Sequence, residues 1–363
     1  HIASGHVVET LLLPGGELLL TRSIEDRADV WSMRSRHKVA AFGPLGRRRG
    51  LTRAFPDGGH VVGLCGMRQT PVFVIWSARS GVAVQRLDLA RATDWTMDAG
   101  VTDFLVVRVL GSGDRVVTAA SHRGHSVIVI WTAARGRPVH VLTHQGAVYS
   151  MEASPCGGKV VTLWNRGLHM WDTSTGALES HIEMPVVFSR PIVEVSRGGA
   201  RVFASMGQNI SVWEGATGEW RGTLSMQGYI VDFALLPDDR RLAVLAGSSA
   251  ALWDAESCTL LRTLSGVEVH SSAFAADVAL SVAGDAVAMC ATARYPGRRG
   301  YDDEEDFYSA AHDLHIRQVW DSASGRVLFK YRRREFDASG LFRGPSCSIA
   351  SVAEQLLVNS AGP

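Results

Sequence analysis

One sequence feature restricts the fold more than any other: a tryptophan recurs along the whole chain after short runs of strand-forming residues. Seven of the ten tryptophans show this pattern, and they are Trp31, Trp76, Trp131, Trp171, Trp213, Trp253 and Trp320. Subtracting neighbouring positions gives spacings of 45, 55, 40, 42, 40 and 67 residues. A base period near 40 residues with a few longer members indicates a repeat array with loop insertions.

Each repeat carries the signals of four short strands. Runs such as 72–75 and 127–130 are rich in β-branched residues and suit strands that are buried on both faces. Five residues after the tryptophan comes a turn glycine, except in the first and sixth repeats, which have Arg36 and Cys258; the glycines are Gly81, Gly136, Gly176, Gly218 and Gly325. A second turn, such as 56–59 or 155–158, precedes each tryptophan. Four antiparallel strands per repeat are typical of a β-propeller blade.

Two segments resemble the Trp-Asp ending of WD40 repeats: Trp171-Asp172-Thr173-Ser174-Thr175-Gly176 and Trp320-Asp321-Ser322-Ala323-Ser324-Gly325. Gly5-His6 and Ser154-Pro155-Cys156-Gly157-Gly158 resemble the opening and first turn of the same repeat. The resemblance covers essentially the whole chain and implies an all-β, seven-bladed β-propeller. It departs in detail, because only Trp171, Trp253 and Trp320 are followed by aspartate, and the family's His–Asp–Ser/Thr–Trp network is largely absent.

The predicted propeller occupies residues 1–335. Its blades lie near 1–45, 46–90, 91–143, 144–184, 185–225, 226–266 and 267–335. Residues 336–363 contain two apolar runs, Ser348–Val352 and 356–358, which we interpret as closing strands or as the start of an eighth blade. The alternative fold is therefore an eight-bladed propeller whose last blade is completed outside this chain. The chain starts with His1, and we expect it to be a piece of a longer protein.

Composition narrows the possible partners and location. The net charge of +1 removes the general electrostatic argument for binding nucleic acid or an anionic membrane, and we expect neither. No apolar stretch approaches the ~20 residues that span a bilayer. The five cysteines show no CxxC spacing, which favours a reducing, cytoplasmic location over a disulfide framework or a zinc site.

Motifs for catalysis fail on inspection, and we predict no catalytic, cofactor-binding or metal-binding residues. The segment 157–160 lacks the Ser or Thr of a nucleotide loop, and 124–128 fails as a nucleophile elbow. His312-Asp313-Leu314-His315 contains the close histidine pair, which we interpret as part of a solvated loop rather than a metal site. Cys65 and Cys290 fall in apolar runs and are interpreted as small buried side chains. The sequence therefore predicts no enzyme and no cofactor.

Long, charged connections mark a candidate partner-binding sector. In a four-strand meander the connections between strands two and three and those between blades lie on one face. That face would hold an insertion between Arg294 and Asp313, and the connections after blades one, two and seven. Loops on a rigid scaffold often bind partners, with arginine and aromatic side chains as anchors. The candidate residues are Arg47, Arg48, Arg49, Trp95, Arg298, Arg299, Asp303, Glu304, Glu305, Arg332, Arg333 and Arg334.

The sequence therefore predicts a non-enzymatic platform for protein interaction or ligand sensing, which binds protein partners through the loop-rich face. The resemblance further implies a place in a multidomain protein of NACHT–WD40 architecture, where the other domains of the chain would be further partners. Two alternatives remain. One is a propeller that regulates or gates a hydrolase or NTPase domain outside this chain. The other binds phosphate or nucleic acid through the loop arginines.

Overall fold

A computed structural model gives the fold. It describes residues 7–23, 27–45, 51–65, 71–93, 104–122, 124–164, 166–184, 192–247, 249–264, 274–283, 286–295 and 312–336. In these residues the chain forms 28 strands and one short helix.

The strands form seven sheets of four strands each. Sheet 1 contains β1 (Val7–Leu12), β2 (Leu18–Ser23), β3 (Ala28–Ser32) and β4 (Lys38–Phe42). Sheet 2 contains β5 (Arg53–Ala54), β6 (His60–Leu64), β7 (Val72–Ser77) and β8 (Ala83–Asp88), and helix α1 (Leu89–Ala92) follows it. Sheet 3 contains β9 (Phe104–Leu110), β10 (Arg115–His122), β11 (His125–Thr132) and β12 (Arg137–Gln145). Sheet 4 contains β13 (Val148–Ala153), β14 (Lys159–Trp164), β15 (Gly167–Asp172) and β16 (Leu178–Glu183).

The remaining sheets repeat the same plan. Sheet 5 contains β17 (Val193–Val195), β18 (Arg201–Met206), β19 (Asn209–Glu214) and β20 (Trp220–Ser225). Sheet 6 contains β21 (Ile230–Leu235), β22 (Arg241–Ala246), β23 (Ser249–Asp254) and β24 (Thr259–Leu264). Sheet 7 contains β25 (Phe274–Ala283), β26 (Ala286–Tyr295), β27 (His312–Asp321) and β28 (Val327–Phe336).

Within every sheet the strands are hydrogen-bonded in chain order. The protein is thus an all-β, seven-bladed β-propeller, which confirms the predicted fold class. Each of the seven repeating tryptophans lies on the third strand of its sheet, as the four-strand repeat requires. The runs proposed as start of an eighth blade, Ser348–Val352 and 356–358, lie outside the described residues.

The chain forms two compact units. One contains His1–Met206 and Ser211–Arg221, and the other contains Gly207–Ile210 and Gly222–Pro363. Sheets 1 to 4 belong to the first unit and sheets 6 and 7 to the second, while sheet 5 contributes to both.

The burial of a strand depends on its place in the sheet, and this explains why the second and third strands contain unbroken β-branched runs. Strands β10 and β11 are buried on both faces over six consecutive residues each. The core between sheets 2 and 3 includes Phe73, Val107, Val129 and Trp131, all at most 2% exposed. In contrast, the last strands, such as β8 and β24, are largely exposed. Only strands covered by neighbouring sheets on both sides need an unbroken apolar run.

The turn glycines adopt the conformation that their position predicts. Gly81, Gly136, Gly176, Gly218 and Gly325 have φ between 60° and 72°. Arg36 and Cys258 occupy the same turn position with φ of 60° and 55°. Because a side chain in this left-handed region meets the adjacent backbone, the two residues that break the glycine pattern carry backbone strain.

Replacing Arg36 by glycine is therefore expected to stabilise the chain. Relief of the left-handed strain is worth about 1–2 kcal/mol, and the greater freedom of glycine in the unfolded chain cancels about 0.5–1 kcal/mol of it. The net gain of about 0.5–1 kcal/mol is measured by chemical denaturation. Arg34, in the same turn but outside the left-handed region, supplies the control: Arg34→Gly should be destabilising, and an equal gain in both variants would contradict the role of strain.

The sequence predicted that the His–Asp–Ser/Thr–Trp hydrogen-bond network of WD40 repeats is largely absent, but its Trp–Thr bond is present in three sheets. The indole Nε1 of Trp31, Trp131 and Trp171 donates to a threonine on the second strand at 2.8, 2.9 and 3.1 Å; the acceptors are Thr21, Thr118 and Thr162. In each sheet this threonine lies two residues beyond the residue that pairs with the tryptophan. Trp253 pairs with Leu242, so Val244 occupies the threonine position, and the buried Trp253 Nε1 has no hydrogen-bond partner.

Val244→Thr is expected to raise the free energy of unfolding by about 1 kcal/mol, because the new hydroxyl would accept the unpaired indole N–H. Valine and threonine have nearly the same shape, and Val244 is fully buried. Thermal or denaturant unfolding measures the change. Val117→Thr is the control, since Val117 is equally buried but is not at the threonine position; there the added hydroxyl should destabilise. A loss of stability in Val244→Thr would show that the indole is satisfied in another way.

The aspartates after three of the tryptophans close the following turns. Asp172 Oδ1 accepts the backbone N–H groups of Ser174 and Thr175 at 2.9 and 2.8 Å. Asp254 Oδ1 accepts those of Glu256 and Ser257 at 3.0 and 2.8 Å. The hydrogen bonds from the turn N–H groups lower the pKa of Asp254 to about 2. A hydrogen bond from Arg240 contributes to this shift, and burial opposes it. The Trp-Asp pair is thus a turn cap in this chain.

Candidate partner-binding surfaces

In the first unit, the turns between the first and second strands pack against one another at one end of the sheets. A Cβ on Gly58 would lie 2.2 Å from Pro14 O, and one on Gly111 would lie 2.4 Å from Cys156 O. The backbone N–H of Cys156 donates to Arg197 O at 3.1 Å, which continues the contact to sheet 5. This end of the first unit is therefore closely packed. The opposite end of the same sheets, where the second strands end and the third strands begin, is called the loop end below.

Most of the predicted partner-binding residues lie outside the described part of the chain. These are Arg47, Arg48, Arg49, Trp95, Arg298, Arg299, Asp303, Glu304 and Glu305. The connection between β26 and β27 does span residues 296–311, so the long insertion lies between the second and third strands of its sheet. The role of these residues stays a prediction.

Arg332, Arg333 and Arg334 do not lie in a connection. They belong to β28, where they pair with Ile316, His315 and Leu314 of β27. The prediction of a loop here was wrong because the turn after Trp320 was expected to be followed by a strand as short as in the other sheets. Strand β28 instead runs for ten residues, and the basic run continues the ladder.

A cavity of about 810 Å³ opens at the loop end, between the connection after sheet 2 and the last two strands of sheet 3. Helix α1 forms one wall and presents Arg91 and Thr93 at its end; the helix was missed from the sequence because it has only four residues. Asp88 caps it by accepting the Ala90 N–H at 3.2 Å. Val127 and Val141 form apolar parts of the opposite wall, beside His125.

Among the described residues that line this cavity, Arg91 carries the one formal charge. Arg91 is highly exposed, and its guanidinium approaches the Asp88 carboxylate only to 3.7 Å. His125 and Thr143 are exposed on the other wall, and no described lining residue is acidic. The cavity thus combines apolar surface with the exposed arginine of α1. Such a combination suits an apolar anchor that carries a neighbouring carboxylate.

Beyond this cavity, sheets 3 and 4 bring three imidazoles and an indole together. The ring centroids of His144 and His169 are 4.5 Å apart, and those of His169 and His181 are 4.7 Å apart. Trp164 packs on His144 and His169 at 4.9 and 5.4 Å. Among the described residues, the buried atoms Trp164 Nε1 and His169 Nδ1 have no hydrogen-bond partner. The four side chains, from β12, β14, β15 and β16, are called the imidazole cluster below.

Packing favours the neutral form of two rings of the imidazole cluster, His169 and His144. Burial, followed by the charges that His144 and His181 would carry, lowers the pKa of His169 to about 4. Burial also lowers the pKa of His144, and His181 adds to the effect. No carboxylate contributes to either shift, so the surroundings of His169 and His144 oppose protonation of these two rings, and the hydrogen bond of His144 with Gly146 offsets the effect only in part.

The described residues contain no group of three or more His, Cys, Asp or Glu side chains placed to hold a metal ion. The rings of the imidazole cluster pack against one another, and the histidine pair of the sequence lies elsewhere. His312 and His315 are in β27, paired with Tyr295 and Thr292. The expectation of a solvated loop there was wrong, since these residues form part of a ten-residue strand.

The cysteines follow the sequence expectation in part. Cys65 comes directly after β6 and is half-buried, and burial raises the pKa of its thiol. Cys290 lies within β26.

Cys156 is exposed in the first turn of sheet 4, where its Sγ lies 3.4 Å from both Gly158 N and Ser154 Oγ. Asp57 holds the corresponding place in sheet 2 and accepts the N–H of Gly59 at 2.8 Å. Cys156 therefore takes the turn-capping place of an aspartate.

Comparison with known proteins supports the fold and nothing finer. No family model matches the chain, and no curated protein matches it. Among solved structures, the crystal structure of the computationally designed Ika8 protein is similar, with a TM-score of 0.64 and 15% sequence identity. The match covers 91% of this chain and 87% of the Ika8 chain. At this identity the likeness shows a shared β-propeller architecture. In the described residues, no helix is both long and apolar enough to cross a membrane.

Proposed function

We propose that this propeller is a non-enzymatic protein-interaction platform, and that its partner binds at the loop end of sheets 2 and 3. The propeller fold commonly serves as such a platform. The observation that carries the proposal is the open cavity with apolar walls and a rim of Arg91 and His125, with no described carboxylate in its lining.

The physical features of the cavity fit a side chain of a protein partner. Its volume lies in the range of small-ligand pockets, but its walls are open and exposed. Arg91 forms only a long ion pair with Asp88, at 3.7 Å, so its guanidinium can make a bidentate hydrogen bond to a carboxylate of the partner. Val141 offers exposed apolar surface beside it. An aliphatic or aromatic anchor followed by an acidic residue would satisfy both features.

The experiment is affinity capture from cell extract, followed by titration of each captured protein against purified variants. Arg91→Glu is expected to weaken binding about tenfold or more, since it replaces an attractive charge by a repulsive one. A second variant, with glutamate at Arg47, Arg48 and Arg49, tests the predicted sector; we expect it to abolish capture without unfolding the chain. Circular dichroism verifies folding of each variant.

The matched control is Arg135→Glu, which reverses an exposed arginine in the turn at the opposite end of sheet 3. Capture that survives Arg135→Glu and is lost in Arg91→Glu supports the proposal. Equal loss in both variants, or in neither, would move the binding surface away from this cavity. A steep fall in affinity with added salt would favour the alternative of phosphate or nucleic-acid binding.

We further infer that the chain is a divergent WD40-like propeller of a NACHT-type multidomain protein in the cytoplasm. The WD40-like part is supported by the tryptophan on the third strand of every sheet and by the three Trp–Thr hydrogen bonds. The NACHT part and the location rest on the sequence resemblance and on cysteine usage. Sequencing the complete transcript tests the first, and imaging of the tagged full-length protein tests the second.

A further inference from the structure

Strand β28 differs from the last strands of the other sheets. It contains ten residues, whereas β4 has five and β8, β16, β20 and β24 have six each. Strand β12 is nearly as long at nine residues, but it contains Pro138, which has no N–H to donate. Short length and proline are devices that prevent pairing at an exposed edge. Neither is present in β28, whose sequence instead carries a third such device, charged residues, at positions 330 and 332–335.

The outer edge of β28 pairs with no described strand. In the described residues β28 is hydrogen-bonded to β27 alone, and it is last in the order of sheet 7. In an antiparallel strand every second residue directs its N–H and C=O groups to the same side. In a ten-residue strand, about five residues therefore direct their N–H and C=O groups towards an added strand.

The first half of β28 carries exposed apolar side chains. Val327, Leu328 and Phe329 are 38%, 62% and 36% exposed. The preceding sheet adds Leu260 and Leu261, which are 50% and 48% exposed on β24. Arg262 of β24 donates from Nη1 to Ser324 O, in the turn before β28, at 2.5 Å. Exposed apolar residues that recur on the last strands of two successive sheets are typical of a surface for protein interaction.

The second half of β28 is basic. Positions 330, 332, 333 and 334 are lysine or arginine, and the next residue is Glu335. A strand that pairs along the whole edge therefore meets apolar residues at one end and positive charge at the other. Charge complementarity selects an acidic occupant. A second copy of this chain does not fit, because pairing of two β28 edges would bring the two basic runs into the same short ladder.

Building on the proposed function, we propose that the outer edge of β28 binds an extended acidic segment of a protein partner. The segment adds to sheet 7 as a fifth strand. Backbone hydrogen bonds along the edge supply affinity, while Leu328 and the arginines at 332–334 select a sequence that combines apolar and acidic residues.

The test uses three labelled ten-residue peptides with blocked ends and the full chain, with binding followed by fluorescence anisotropy. The first peptide alternates valine and glutamate, and the second alternates valine and lysine. The third repeats the first with N-methyl groups at alternate residues, which removes backbone donors without changing charge. We expect the acidic peptide to bind at least about tenfold more tightly than either of the others. Amide exchange in β28 should slow when it binds.

Two variants place the site. Exchanging the arginines at 332–334 for glutamate should reverse the preference between the acidic and basic peptides. Leu328→Ser should weaken binding of the acidic peptide, whereas Leu178→Ser, at an exposed position of β16, should not. Equal binding of the N-methylated peptide would overturn strand addition, and concentration-dependent self-association through β28 would overturn the acidic partner. If Arg91→Glu still abolishes capture while no peptide binds, this inference fails and the proposed platform stands.

Discussion

Replacing Trp131 by alanine is expected to lower the free energy of unfolding by about 3–5 kcal/mol. Trp131 is 2% exposed and packs in the core between sheets 2 and 3 with Phe73 and Val129. Its indole N–H also donates to Thr118 Oγ1 at 2.9 Å in a buried setting. The substitution removes both the packing and the hydrogen bond, and it leaves a void that rigid strands on either side cannot fill. Chemical denaturation measures the change.

Two conservative variants separate the contributions. Trp131→Phe keeps most of the ring volume and should cost less than alanine. Thr118→Val keeps the shape of the acceptor residue but leaves the indole N–H without a partner, at a cost of about 1–3 kcal/mol. Because the two side chains are hydrogen-bonded to each other, the variant with both substitutions should cost clearly less than the sum of the two single variants. Additive costs would show that the pair does not interact.

The propeller could be predicted from the sequence because each repeat contains the same strand and turn signals in the same order. A β-branched run, a tryptophan and a turn residue five positions later define the third strand and the turn that follows it, and all seven lie as expected. The Trp–Thr bonds were missed, since the acceptor lies on a neighbouring strand and its position depends on strand register. Thr118 and Trp131 are 13 residues apart, while Thr162 and Trp171 are 9 apart. A fixed sequence spacing does not exist for this pair.

The candidate surfaces were predicted less well for the same physical reason. The sequence offered His312 and His315 as the close histidine pair, and they lie on one strand. The imidazole cluster instead joins His144, His169 and His181, which come from three strands of two sheets. Likewise, the sequence predicted a loop at the arginines 332–334. The local residue pattern does not indicate that β28 is longer than the last strands of most other sheets.

Acidification from pH 6.5 towards 4.5 is expected to destabilise the chain through the imidazole cluster. The pKa of His169 is about 4 in the folded chain, against an ordinary value of 6.5. Above pH 6.5 both states are neutral and the contribution is constant. Below it the unfolded chain takes up a proton that the folded chain resists, so the free energy of unfolding falls by about 1.4 kcal/mol per pH unit. The total loss is about 3 kcal/mol near pH 4, and His144, whose pKa is lowered as well, adds to it.

His169→Phe identifies the origin of this loss. Phenylalanine keeps an aromatic ring beside Trp164 and has no proton to gain, so stability should become less dependent on pH between 6.5 and 4.5. The exposed His37 is the control, and His37→Gln should leave the dependence unchanged. The range avoids the turn aspartates: the pKa of Asp254 is lowered from 3.8 to about 2, so its contribution is lost only at lower pH. An unchanged slope in His169→Phe would place the acid sensitivity outside the imidazole cluster.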